Sequence, residues 1–213
     1  MEMQHEDAGV IRDVSEMVTL TEQMMVDALH RSACWNRMRD NSLPFVGRAA
    51  YLEQHWEGLR VLDAAAEKLG LLAMQSDIAS MRKQMGEVLD RAHSTAQWRD
   101  HHVTMPSMLE FRRHVNELVG SGDAVGLSAQ ILVRLAAVRA CPAPRAQDEV
   151  TIPSVTVVRS DEHEELFAEE LSAAMLMVLA HGSDVCRAYP EDQSLSSCAI
   201  TAAAIRQSLS GTA

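Results

Sequence analysis

Met24-Met25-Val26-Asp27-Ala28-Leu29-His30-Arg31-Ser32-Ala33-Cys34-Trp35, then Ser42-Leu43-Pro44-Phe45-Val46, then Tyr51-Leu52-Glu53-Gln54-His55-Trp56 and on to Leu69: this stretch decides the fold. It reads as two helices joined by a short turn. From about Ile11 to Met38, the residues Val14, Val18, Thr21, Met25, Ala28 and Ser32 recur at alternating spacings of four and three. That spacing lines one face of an amphipathic helix. Asn41, Ser42 and Pro44 end it, because the residue before a proline resists helical geometry. A second helix follows from about Val46 to Leu69. Leu52, Trp56, Leu59, Leu62, Ala66 and Leu69 form its buried stripe, and Gly70 is its stop signal.

The same periodicity continues outward. A third helix is expected from about Leu72 to Thr95, with Ile78, Met81, Met85, Val88 and Leu89 apolar. Gln97 to Thr104 is polar and reads as a loop in which His101 and His102 are solvated. Pro106 opens a helix from Ser107 to Val119, a position where proline costs little. Gly120-Ser121-Gly122-Asp123 breaks the chain, and Asp123 can cap a helix from Ala124 to Ala140. Val150 to Val158 is β-branched, but Pro153 favours an extended connection over a strand. A helix with acids in its first turn starts at Ser160-Asp161 and reaches about His181-Gly182; a last one covers Leu195 to Leu209.

Composition agrees. Hydrophobic residues make up 47% of the 213, too many for a disordered chain, while aromatics are 4% and methionines number 13. The expectation is an all-α fold forming a single domain over residues 1–213, with residues 1–9 disordered. Against 19 Lys and Arg stand 30 Asp and Glu, a net charge of -11, which argues against a nucleic-acid partner. The acidic surface suits solubility or a basic protein partner. Cys34, Cys141, Cys186 and Cys198 are scattered, which fits a reducing cytoplasm better than a disulfide framework. The acidic start of the chain is unlike a signal peptide, and no apolar run approaches a membrane span.

Few residues carry a chemical signal. His30 sits at the edge of the first apolar stripe, where an imidazole can face a pocket between helices and ligate a metal. Cys34 lies one helical turn later, where an i,i+4 thiol–imidazole pair is geometrically possible, although a buried structural thiol is the better reading. Glu53 and His55 are two apart and point to different sides; Glu110 and His114 are four apart and can share a face. The paired Glu-x-x-His motifs of a di-iron bundle are missing. The Gly120-Ser121-Gly122 turn lacks the lysine of a phosphate loop, and no serine sits in Gly-x-Ser-x-Gly.

The order of elements resembles the bacterial haem oxygenases. Leu29-His30 matches the family's proximal histidine. Pro44-Phe45-Val46 and Tyr51 match its turn and second helix, and Glu67 that helix's acidic end. Pro106 through Leu135 resembles the family's short helix, its turn and the helix leading to the distal side of the haem, and Val150-Thr151-Ile152-Pro153 the extended segment before the penultimate helix. The resemblance implies haem bound between the first helix and the Ala124–Ala140 helix. His30 would be the iron ligand, Arg134 or Arg139 would meet the propionates, and a reductase would supply electrons. The product would be biliverdin, with release of iron and CO. Three features depart from the family. Ala136 to Pro142 holds no glycine where a glycine-rich kink is expected. Cys34 replaces a glutamate four residues after the histidine. Glu164, Glu165, Glu169 and Glu170 crowd a helix that is usually basic. The missing glycines and the acidic helix favour a second reading, a non-catalytic haem- or tetrapyrrole-binding or protein-interaction module of the same fold. A third, a haem-free iron oxidase, would need Glu53, Glu110, His114, Asp161 and His163 to converge.

Overall fold

The computed structural model describes residues 13–141 and 155–191, and over them the protein is all-α. Eight helices are formed among the described residues: α1 (Ser15–Arg31), α2 (Ala33–Arg39), α3 (Phe45–Lys68), α4 (Leu72–His93), α5 (Trp98–His101), α6 (Pro106–Ser121), α7 (Ala124–Ala140) and α8 (Asp161–Ala188). The expected start at residues 1–9, most of the Val150–Val158 segment and the Leu195–Leu209 helix lie outside the described residues.

Local chemistry sets most of the boundaries. The first expected helix divides at Ser32, whose backbone is extended at φ -69° and ψ 150°. Its hydroxyl donates to the Leu29 carbonyl (2.7 Å) and accepts from the Trp35 N–H (3.2 Å), so one serine closes α1 and caps α2. Gly70, at φ +71°, follows α3. Pro106 occupies the first turn of α6, and the Asp123 carboxylate accepts from the Gly126 N–H at 2.8 Å to cap α7. Ser160 caps α8 by accepting from the His163 N–H.

α3 and α7 are the central pair. From Val125 to Val138 every residue of α7 is buried, and so is every residue of α3 from Tyr51 to Leu59 except the half-buried Leu52. A helix buried all round has neighbours on all sides. α4 packs along α3, α8 along α7, α1 closes one flank of α7, and α6 lies across α3, α7 and α8. The main apolar core runs through Met25, Leu29, Leu59, Leu62, Ile78, Phe111, Ile131 and Phe167. A smaller cluster under α2 holds Cys34, Leu43, Tyr51, Cys141, Val185 and Tyr189.

α8 does not stop at Gly182 but continues to Ala188. Gly182 is there for its size: a Cβ at that position would lie 3.0 Å from the Cβ of Cys34, so the glycine lets α2 approach α8. No described helix is long and apolar enough to cross a membrane.

Candidate functional site

One turn of α3, Glu53-Gln54-His55-Trp56-Glu57, is wholly buried although four of its five side chains are polar or charged. The helix distributes them to different neighbours. Gln54 ties down the segment before α6, donating to the Val103 carbonyl (2.7 Å) and accepting from the Met105 N–H (2.9 Å). Glu53 pairs with His93 of α4 at 2.8 Å. Glu57 gathers Arg60, Arg112 and His102. Arg60 donates to both of its oxygens at 2.8 Å, and Arg112 approaches to 2.5 Å. Burial pushes the Glu57 carboxyl up, but the bonds from Arg60 and His102 outweigh it and hold it at about 2. His102 is therefore not solvated. It sits 3.5 Å from Glu57, and although burial opposes its protonation, that carboxylate raises its pKa.

His55 points the other way, into a centre of different composition. Arg134 of α7, 1% exposed, enters it across from α3, beside Phe111 of α6 and His181 of α8. Arg134 Nη1 lies 3.4 Å from His55 Nδ1, and its Cζ sits 4.5 Å above the Phe111 ring. The His181 ring centroid is 6.4 Å from that of His55, and Tyr51 packs edge-on to His55 at 4.6 Å. Gly58 makes the room, since a Cβ there would meet the guanidinium at 3.0 Å. No carboxylate among the described residues pairs with Arg134, and its Nε and Nη2 have no hydrogen-bond partner.

The electrostatics follow from that composition. Desolvation pulls the Arg134 guanidinium down to about 10. Desolvation, then the nearby guanidinium, hold His55 and His181 well below the usual histidine range, so both are neutral at pH 7. The Met177 and Val178 carbonyls lie near enough to His181 to favour its charged form slightly, but neither ring nitrogen makes a hydrogen bond of good geometry. A buried cation carries a desolvation penalty of several kcal/mol. The cation–π contact with Phe111 returns about 2 kcal/mol, and a 3.4 Å contact to histidine adds little. The fold leaves this charge under-compensated.

The expected haem seam is built differently. His30 is exposed at the end of α1, with its ring 4.5 Å from that of Trp35; it does not face α7. Met25 and Leu29 take the buried positions of that turn, and His30, one residue past Leu29, is rotated out of the stripe. The helix break at Ser32 also turns Cys34 away from His30 and toward α8. Arg139 lines the α1–α7 cleft and pairs with Glu22 at 3.5 Å. Arg134 faces the opposite side of α7. The cleft, lined by Val18, Thr21, Leu132, Ala136 and Leu171, is partly open and has a cavity volume of about 10 Å³, room for about one water molecule. His30, Arg134 and Arg139 thus lie in three separate environments, and the residues between α1 and α7 do not fit a haem in this conformation.

The iron-oxidase set is scattered as well. Glu110 pairs with Arg113, and His114 with Glu170 of α8 at 2.6 Å. No group of three potential metal ligands converges among the described residues. No protein-family model matches the chain. No curated protein matches it either.

Proposed function

We propose that the protein is a non-catalytic binding module of this helical architecture, and that the Arg134 centre takes a small organic carboxylate. The observation that carries the reading is the unpartnered edge of Arg134. Nε and Nη2 are the two donors of the guanidinium fork that meets a carboxylate with two parallel hydrogen bonds. A carboxylate there would supply the compensating charge that the neighbouring helices lack. His55 through Nε2, and His181 through either ring nitrogen, are neutral and would donate to or accept from the remainder of the ligand. The centre is closed by packing, so the ligand enters only when α6 or α8 parts from α7. Association should therefore be slower than at an open site, because binding waits on a conformational change.

The test is a thermal-unfolding titration with acetate, benzoate, phosphate and haem in separate arms. A carboxylate at a hundred times its Kd should stabilise the protein by about 2.7 kcal/mol. Arg134→Met should abolish that shift, and His30→Ala should leave it intact. No shift with either carboxylate, or a shift that survives Arg134→Met, would remove the proposal. The oxygenase reading has its own signature in the same experiment. It needs α1 to separate from α7 and His30 to leave Trp35, and it requires a haem Soret band that changes in His30→Ala.

A further inference from the structure

Two thiols meet where α2 crosses the C-terminal turns of α8. Cys34, in the first turn of α2, is 3% exposed and packs against Gly182. Cys186 lies one helical turn beyond Gly182, on the same face of α8, and is half-buried. Both thiols belong to the one packed cluster under α2, in which Cys186 joins Cys34, Val185 and Tyr189. Arg37, one turn after Cys34, spans the same junction. Its guanidinium donates to the Cys186 carbonyl (3.2 Å) and the Tyr189 carbonyl (2.8 Å), which holds a positive charge beside the junction. The neighbouring Cys34 thiol lowers the Cys186 thiol to about 6, with Arg37 assisting, while Cys34 is pushed well above its ordinary value. Cys141 offers a contrast nearby. It is 2% exposed, and burial pushes it up to about 12 despite a hydrogen bond from Tyr51. One accessible sulfur is thus poised as a thiolate, and a second holds its proton beside it.

We propose that Cys186 and Cys34 form an oxidant-responsive thiol pair, in which Cys186 attacks a hydroperoxide and Cys34 closes the disulfide. In the first step the Cys186 thiolate displaces hydroxide from hydrogen peroxide, or alkoxide from an alkyl hydroperoxide. Sulfur is oxidised to the sulfenic acid and the peroxide O–O bond is reduced. In the second step the Cys34 sulfur attacks the Cys186 sulfur. The S–OH bond breaks, and the hydroxyl leaves as water with the Cys34 proton. The disulfide then fixes α2 covalently to the end of α8, linking positions 34 and 186 of the chain. Cys198 lies outside the described residues and serves as a competitor in the test.

The experiment exposes the full-length protein to a few equivalents of hydrogen peroxide at pH 7, blocks the remaining thiols with N-ethylmaleimide, and maps the peptides. The expected product is an intramolecular Cys34–Cys186 disulfide, with Cys141 alkylated and the oxidation rate rising with pH through about 6. In Cys34→Ser the sulfenic acid at Cys186 should persist and be trapped by dimedone. Cys198→Ser should change nothing. A disulfide to Cys141 or Cys198, or a Cys186 that reacts no faster than Cys141, would overturn the proposal. The peptide map of the unmodified protein decides this even if a cysteine variant fails to fold.

Discussion

Glu57 and His55 stand two residues apart on one buried turn of α3, yet they face centres of opposite character. On the Glu57 side a single acid is surrounded by Arg60, Arg112 and His102, and its carboxylate is held at about 2. On the His55 side a single guanidinium is surrounded by neutral imidazoles and a phenyl ring, with no acid among the described residues. The first centre is complete in itself: its cations reach toward solvent, with Arg60 and Arg112 side chains 46% and 36% exposed, while the acid is sealed. The second holds a sealed cation and nothing to balance it. A polar group inside a helical core is thus a structural element when its partners come with it. It becomes a candidate ligand contact when they do not.

The sharpest way to break this contrast is Glu57→Ala. It removes the acid and leaves Arg60 and Arg112 without their shared partner, so it should cost about 3 kcal/mol in urea unfolding, at the low end for a buried pair because the arginines can rehydrate. A loss below about 1 kcal/mol would mean that the network is dispensable.

A smaller effect should appear in the pH dependence. His55 and His181 titrate near 6.5 in the unfolded chain and well below that in the fold, so below pH 6.5 the unfolded state takes up protons first. Stability should therefore fall with decreasing pH, at up to about 1.4 kcal/mol per pH unit for each histidine. His55→Gln should remove one proton from that slope. Glu57 adds a separate loss between its unfolded value near 4.3 and its folded value of about 2. His102, whose folded pKa is raised, works in the other direction: its contribution is full below about 6.5 and fades as the pH climbs through the raised value. A flat profile between pH 6.5 and 5 would show that the two buried imidazoles take up protons in the fold as readily as in the unfolded chain.

The smallest effect belongs to Arg60→Ala. Its half-exposed guanidinium is one of three partners for Glu57, so the loss should stay under about 1 kcal/mol by the same measurement. A cost matching that of Glu57→Ala would mean that the acid depends on Arg60 alone.

The sequence made the helices legible because their stripes and stops are local. Pro106, Asp123 and Gly70 act within a turn of where they stand, and each marks the boundary expected of it. Ser32 escaped because a serine inside an apolar stripe looks like a neutral helical residue until its hydroxyl binds Leu29 and Trp35. Gly182 misled for the opposite reason. It carries the signal of a helix stop, but it serves a contact with α2, far away in the chain. Stripe reasoning also fails for α7 and for the Tyr51–Leu59 part of α3, which have no solvent face to leave polar. Arg134 was singled out, and its position inside the run Ile131-Leu132-Val133-Arg134-Leu135 was the signal that it is buried. His55 and His181 gave no such signal, since the partners that define them come from four helices.

The central claim is that the charge of Arg134 is not needed by the fold. It is tested most directly by the unfolding free energy of Arg134→Met, measured by urea titration in the absence of any carboxylate. Replacing an uncompensated buried cation with an apolar side chain of similar length should leave stability unchanged or raise it by about 1–2 kcal/mol. A loss of about 3 kcal/mol would show that the guanidinium is a structural element, balanced within the helices that surround it, and would contradict the account.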